Sequence, residues 1–368
     1  MDNSALDLLS WLSISSKSFC NASGFIDMLV FGNFPPLHAS QGTVNGFAPT
    51  AKPLGVDKTL ENNIISDTNR LSKTMTKFWD KVDTSYNEDI KKYEIQLDGK
   101  TLKTPLGFPL ALPEDKKYFA HLIQHEWSNL PNLKIQTNSM PLTSIAARSI
   151  DLQAAHEKFE EDRDLAAKVG RLEDVKLNML RYLDTDTCLI FTTLDEYEGK
   201  LRAKQDELYL PLIEEHEDFF TKWALQRGNL LPSHDAKVTL QYLDCETDGL
   251  RGNRQTITTQ NVVLDWVNHL STFELVALEK AILTSKSFLC GLSLLRSSVS
   301  SPEKQQQLYQ VNKDKLEDHY FKTIDEIIEL GNLETIFQTN LWGEVEDTHD
   351  VEKADWLRSL TSAALLCH

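Results

Sequence analysis

Tyr93-Glu94-Ile95-Gln96-Leu97-Asp98-Gly99-Lys100-Thr101-Leu102-Lys103-Thr104 is the stretch from which the fold class is worked out. Residues 93–97 alternate apolar and polar with period two, the pattern of a strand with one buried face. Asp98-Gly99 supplies the positive-φ pair of a tight hairpin turn. Residues 100–104 then alternate again, and Phe108 to Leu112 forms a third short segment, so the spacing predicts a small antiparallel β unit. Pro113, followed by Glu114 and Asp115, has the form of a helix first turn. Beyond it Tyr118, Phe119, Leu122, Ile123 and Trp127 recur at helical spacing and are expected to cover one face of the sheet.

Past Pro141-Leu142-Thr143-Ser144, where a hydroxyl is expected to cap the next helix, nearly everything reads helical. Leu172, Val175, Met179, Leu180 and Leu183 keep an i, i+3, i+4, i+7 pattern, as do Val262, Val263, Trp266, Val267 and Leu270, and Leu275 to Leu283. Lys237 to Leu243 alternates and reads as an isolated strand or an extended link. No fixed repeat marks a solenoid. The expectation is an α+β protein: residues 1–60 an extension without sustained apolar period, 61–160 a small β-rich domain with its covering helix, and 161–368 a larger all-α domain with an acidic C-terminal region.

Thirty-eight Lys and Arg against 55 Asp and Glu give a formal net charge of −17, which argues against nucleic acid as a ligand, because phosphate neutralisation needs a basic surface. A basic protein partner fits better. Cys20, Cys188, Cys245, Cys290 and Cys367 are odd in number and scattered, with no paired spacing of a zinc site, and read as reduced thiols. No apolar run reaches the length of a spanning helix, so no membrane insertion is expected. Before Lys58 the only bases are Lys17 and Lys52, against Asp2, Asp7, Asp27 and Asp57. An Arg-rich, acid-poor transit peptide looks different, and the segment reads as a misassigned start or an extension of unknown purpose.

Three patterns invite a chemical reading. His121 and His125 share a helix face, but Leu122 stands where the glutamate of H-E-x-x-H would be, so they read as surface histidines. Asp184-Thr185-Asp186-Thr187 could hold a divalent cation with Asp184 as nucleophile of a metal-dependent phosphohydrolase. Its helical context favours structural roles for Asp184 and Asp186, bonding the local backbone. Gly249-Leu250-Arg251-Gly252-Asn253 reads as a turn, and no P-loop, dinucleotide fingerprint or nucleophile elbow occurs. No cofactor, metal or small-molecule substrate is expected.

From Ser301 to His368 there are fourteen acids and six bases. The densest part, Trp342-Gly343-Glu344-Val345-Glu346-Asp347-Thr348-His349-Asp350, mixes an aromatic with carboxylates. A solvated helix end is one reading. A protein-binding surface with an electrostatic rim, built from Trp342, Glu344, Glu346, Asp347 and Asp350, is the other.

Several strings occur in order from about residue 61 to 364: Asn69-Arg70-Leu71-Ser72-Lys73, Lys77-Phe78-Trp79, Leu97-Asp98-Gly99-Lys100, Glu126-Trp127, Met140-Pro141-Leu142-Thr143, Arg181 to Thr187, Leu250 to Asn253, Thr284-Ser285-Lys286-Ser287-Phe288, Leu333-Glu334, and Trp342 to Asp350. Together they resemble the mitochondrial ATP synthase assembly chaperones that hold the free α subunit of the F1 sector, in their fungal form. The resemblance implies a non-enzymatic chaperone of the mitochondrial matrix that keeps unassembled α from aggregating until it pairs with β. It also implies functional importance for Glu334 and for the Glu126-Trp127 pair, although helical spacing makes Trp127 a packing residue. A third reading is a generic acidic scaffold.

Overall fold

A computed structural model describes residues 79–130, 140–159, 163–249, 251–311, 320–343 and 349–368, the side chains of Arg163, His349 and Asp350 excepted. The expected extension over 1–60 lies outside the described residues, as do Glu344, Glu346 and Asp347.

The hairpin forms as its alternation dictates. Strand β1 (Val82–Asn87) pairs antiparallel with β2 (Lys92–Leu97), Val82 opposite Leu97 and Asn87 opposite Lys92. Asp98 and Gly99 take φ of 47° and 78° and turn the chain into β3 (Lys100–Thr101). The far edge of β2 carries β3 and then β4 (Ala111–Pro113), so β2 is the central strand. The Asp98 carboxylate accepts the amide of Lys81 at 2.8 Å, tying the turn to the start of β1.

Helix α1 (Lys117–Ser128) lies over this sheet and buries Phe119, Ile123 and Trp127 with Val82, Ile95, Leu97, Leu110 and Leu112. The stripe is narrower than expected: Tyr118 is 79% exposed and Leu122 38%. Residues at i, i+4 and i+8 keep one face, and each of these two sits about 100° off it. Helix α2 (Pro141–Glu157) packs both on α1 and on helices of the second half.

The remaining helices are α3 (Arg163–Val169), α4 (Leu172–Asp184), α5 (Lys200–Arg227), α6 (Cys245–Asp248), α7 (Ile257–Asn268), α8 (Thr272–Ser285), α9 (Phe288–Ser298), α10 (Pro302–Gln307), α11 (Ile324–Gly331), α12 (Leu333–Trp342) and α13 (His349–Cys367). Helices α8 and α9 are the centre. Residues 288 to 297 of α9 are all buried, Ser293, Arg296 and Ser297 among them. Gly291 permits the approach, since a Cβ there would meet Ile282 Cγ1 at 2.8 Å. Helix α13 closes over α8, α2, α9 and α11.

The alternating segment 237–243 resolves into an extended link. Val238 and Leu240 are buried, and their amides donate to Thr221 Oγ1 and Glu217 Oε1 of α5 rather than to a neighbouring strand. Only β6 (Leu243–Asp244) forms a ladder, parallel to β5 (Ile190–Phe191).

Candidate functional site

The aspartate pair comes first, because it carried the enzymatic alternative. Asp186 is fully buried and bridges two segments: Oδ1 accepts the Cys188 amide and Oδ2 the Leu289 amide, each at 2.9 Å. Burial pushes its pKa up to about 6, against the opposing hydrogen bonds from Ser287 and the backbone. Asp184 ends α4 and accepts the Gln255 amide at 2.8 Å, two residues past Asn253. Thr187 donates through its hydroxyl to the Ser285 carbonyl at 3.3 Å. Two of the ordered strings therefore meet in one seam, 181–187 against 284–288, with Gln255 bonding the first of them from its other side. Both oxygens of Asp186 are occupied and shut off from water, so a substrate has no access to them. Among the described residues no group of three or more His, Cys, Asp or Glu is arranged to hold a metal ion.

Glu126 and Trp127 converge on one hydroxyl. Thr143 Oγ1 donates to Glu126 Oε2 at 2.5 Å and accepts from Trp127 Nε1 at 3.0 Å. Glu126 also accepts the amides of Leu142 and Thr143, at 3.0 and 2.9 Å. The cap expected from a Thr143 or Ser144 hydroxyl is thus supplied by a carboxylate on the preceding helix, which suits the positive end of α2. Burial raises the Glu126 pKa, opposed by these same bonds. Trp79 stacks edge-on against Trp127 with centroids 5.4 Å apart. His121 and His125 are exposed on the outer face of α1.

Glu334 and Trp342 stand at the two ends of α12. Glu334 is exposed in the first turn, and Gln338 Nε2 donates to its Oε1 at 3.0 Å. Trp342 is 73% exposed and Leu341 62%. Between them Phe337 faces Tyr197, whose ring centroid lies 5.9 Å from Phe337 and 6.4 Å from Trp342. Tyr197 comes from the turn before α5, where it, Glu198 and Gly199 take φ of 51°, 57° and 76° in succession. Two non-glycine residues in this region cost about 1–2 kcal/mol each, a strain of the kind held at functional surfaces.

Helix α12 is set in place by α11. Ile327, Leu330 and Leu333 are buried, and the Tyr209 hydroxyl of α5 donates to the Leu330 carbonyl at 3.0 Å. The result is an aromatic ledge of Tyr197, Phe337 and Trp342, bordered by Glu334 and Glu196. Burial, then the Glu196 charge, raises the Glu334 pKa, and Gln338 opposes the rise. Burial, then Glu334, raises that of Tyr197. Of the acidic residues expected at the surface only Glu334 has a described side chain; Asp350 lies in α13, its side chain undescribed. Tyr197, Phe337 and Glu196 were missed in the sequence. Asp195-Glu196-Tyr197-Glu198-Gly199 nevertheless shows the same mixture of an aromatic with carboxylates that singled out Trp342.

The surface of α12 is aromatic and bordered by acid, and the carboxylates of Asp186 and Glu126 bond the protein's own backbone. The family model described as ATP12 chaperone protein matches residues 76–217. The chain is 44% identical over 322 residues to the mitochondrial protein ATP12 of Saccharomyces cerevisiae, covering 87% of this chain and 92% of the yeast protein. It is 30% identical over 272 residues to mitochondrial atp12 of Schizosaccharomyces pombe, with 74% and 76% covered. The crystal structure of Atp12 from Paracoccus denitrificans shares the fold, with a TM-score of 0.54 and 20% identity over 80% of this chain and all of that one. The chain belongs to the ATP12 chaperone family, the assembly chaperones of ATP synthase that the ordered strings resemble.

Proposed function

We propose that this protein is a non-enzymatic chaperone of the mitochondrial matrix that binds the unassembled α subunit of the ATP synthase F1 sector and releases it to β. The observation that carries the reading is the ledge on α12, where Trp342 and Leu341 stand in solvent at one end and Glu334 at the other. Exposed apolar surface rimmed by charge marks a protein-binding face. An α subunit without its β neighbours exposes the surface it later buries, and such a surface aggregates unless covered. Carboxylates at the rim give fast encounter and reversible release.

The remaining partner-binding residues of this reading, Glu344, Glu346, Asp347 and Asp350, follow Trp342 in the sequence. Trp127, Asp184 and Asp186 belong to the framework. The test is capture of separately produced α and β subunits by the purified protein at low and physiological salt. Selective capture of α, displaced by β, is expected. Glu334→Lys should weaken that capture on the order of tenfold or more while leaving the circular dichroism spectrum and unfolding midpoint unchanged. Full capture by the Lys variant would remove Glu334 from the contact. Turnover that requires magnesium and disappears in Asp184→Asn would replace the chaperone reading with a phosphohydrolase.

A further inference from the structure

The rim of the ledge is not electrically uniform. Glu198 is neutralised by Lys200, whose Nζ lies 2.6 Å away. Lys204 reaches Glu207 at 3.0 Å and Glu329 at 3.9 Å. Glu196 accepts from the Thr192 hydroxyl and Glu334 from the Gln338 amide, both neutral donors. Among the described residues neither takes part in an ion pair. Two carboxylates without an ion-pair partner among the described residues therefore border Tyr197. The neighbouring faces are aromatic: Tyr197 sits 6.4 Å from Trp342, and Trp342 has 73% of its surface free.

Resting on the α-subunit reading, we infer that the ledge receives an arginine of the partner, set in an apolar segment, its guanidinium lying against Tyr197 and Trp342 and its N–H groups on Glu334 and Glu196. Guanidinium is the group that fits both halves. It stacks flat on aromatic rings and presents forked donors to carboxylates, whereas an ammonium is a strongly hydrated point charge without the planar face. The apolar flank of the segment covers Leu341 and Leu194, which are 62% and 57% exposed. Charge complementarity selects this occupant over a second copy of the chain, which carries a net charge of −17 and would bring the same carboxylates to the contact. The raised pKa of Glu334 agrees with a carboxylate whose cation arrives from outside.

The experiment has two arms with the full chain. In the first, the α subunit is titrated against wild type, Trp342→Leu, Tyr197→Leu, Glu334→Gln and Glu196→Gln. In the second, the probe is a capped hexapeptide alternating leucine and arginine, with lysine and glutamine versions, followed through the Trp342 fluorescence that remains after subtracting Trp342→Phe. The arginine peptide should bind, the lysine version on the order of tenfold more weakly and the glutamine version not measurably. Each variant should lose on the order of tenfold in affinity for α and for the peptide. Equal binding of arginine and glutamine peptides, α binding unaltered in Trp342→Leu and Glu334→Gln, or self-association abolished by Trp342→Leu would each overturn the inference. Failure of wild type to capture α, with arginine-selective peptide binding intact, would instead overturn the α reading and leave the arginine site standing.

Discussion

Thr143 carries more of the architecture than its size suggests. Its hydroxyl donates to Glu126 and accepts from Trp127, so one oxygen joins the sheet-covering helix α1 to the start of α2. Thr143→Val keeps the volume but leaves a buried indole N–H without its acceptor and a buried carboxylate without its shortest donor. Each such loss costs about 1–3 kcal/mol, and a destabilisation of about 2–3 kcal/mol in denaturant unfolding is expected. Trp127→Ala should cost more, about 3–5 kcal/mol, because it also opens a cavity beside Trp79. A loss below about 1 kcal/mol for the Val variant would show that water replaces the hydroxyl. Helical spacing made the burial of Trp127 legible. The cap by Glu126 was not, because its amides lie sixteen and seventeen residues further along the chain and local patterns do not see across a connection.

At the scale of elements the turn before α5 sets Tyr197 over α12. Glu198 holds a left-handed conformation with an exposed side chain paired to Lys200, and surface pairs of that kind contribute little. Glu198→Gly removes the left-handed penalty and adds backbone entropy to the unfolded chain. The first effect is the larger, so the variant should be more stable by about 0.5–1 kcal/mol, checked by chemical unfolding. Partner capture should not change, since Glu198 is already neutralised. A destabilised variant would mean that the ion pair, not the strain, dominates.

This turn also shows where sequence reading gives out. Asp195 to Glu198 has the composition of a helix start, and only Gly199 hints at positive φ. The hairpin was legible because both positions of its turn carry the residues that such backbone favours, Asp98 and Gly99. Of the residues at the ledge, Trp342 was singled out by its acidic surroundings and Glu334 only through the family resemblance. Tyr197 reaches them from 137 residues before Glu334, a pairing set by how α5 packs on α12.

The whole molecule should answer to acid in a particular direction. Burial pushes Asp151 and Asp186 each up to about 6 from an unfolded value of 3.8. As pH rises from about 4 to about 6 the unfolded chain gives up these protons first, while the folded chain still holds them. Their contribution is therefore complete below the unfolded value and is lost as pH passes the folded one. Asp244, held low by Arg202, acts with the opposite sign, so the effect is read as a difference. The stability gap between wild type and Asp151→Asn should move by about 2 kcal/mol in favour of the variant from about pH 4 to about pH 7, measured by urea unfolding at each pH. A constant gap would mean that Asp151 titrates alike in both states, its bond from Thr104 at 2.5 Å offsetting its burial.

The α+β division was legible at this scale because the apolar period changes from two to 3.6 along the chain. The way α2 packs on both halves was not, since its buried face looks the same whichever neighbour it meets.

Helix α13 packs over α8, and the two are separated in the chain by everything between Ser285 and His349. During biosynthesis the sheet and its covering helix all lie within residues 82–128 and can form while the ribosome is still at work. Helix α8, by contrast, waits for a segment translated well after it, and non-local closure of that kind leaves apolar surface open to aggregation. Proteolysis should show residues 272–285 cut in stalled nascent chains and protected once His349–Cys367 has emerged from the ribosome. A protein that shelters others would then pass through an interval in its own synthesis when it needs shelter itself.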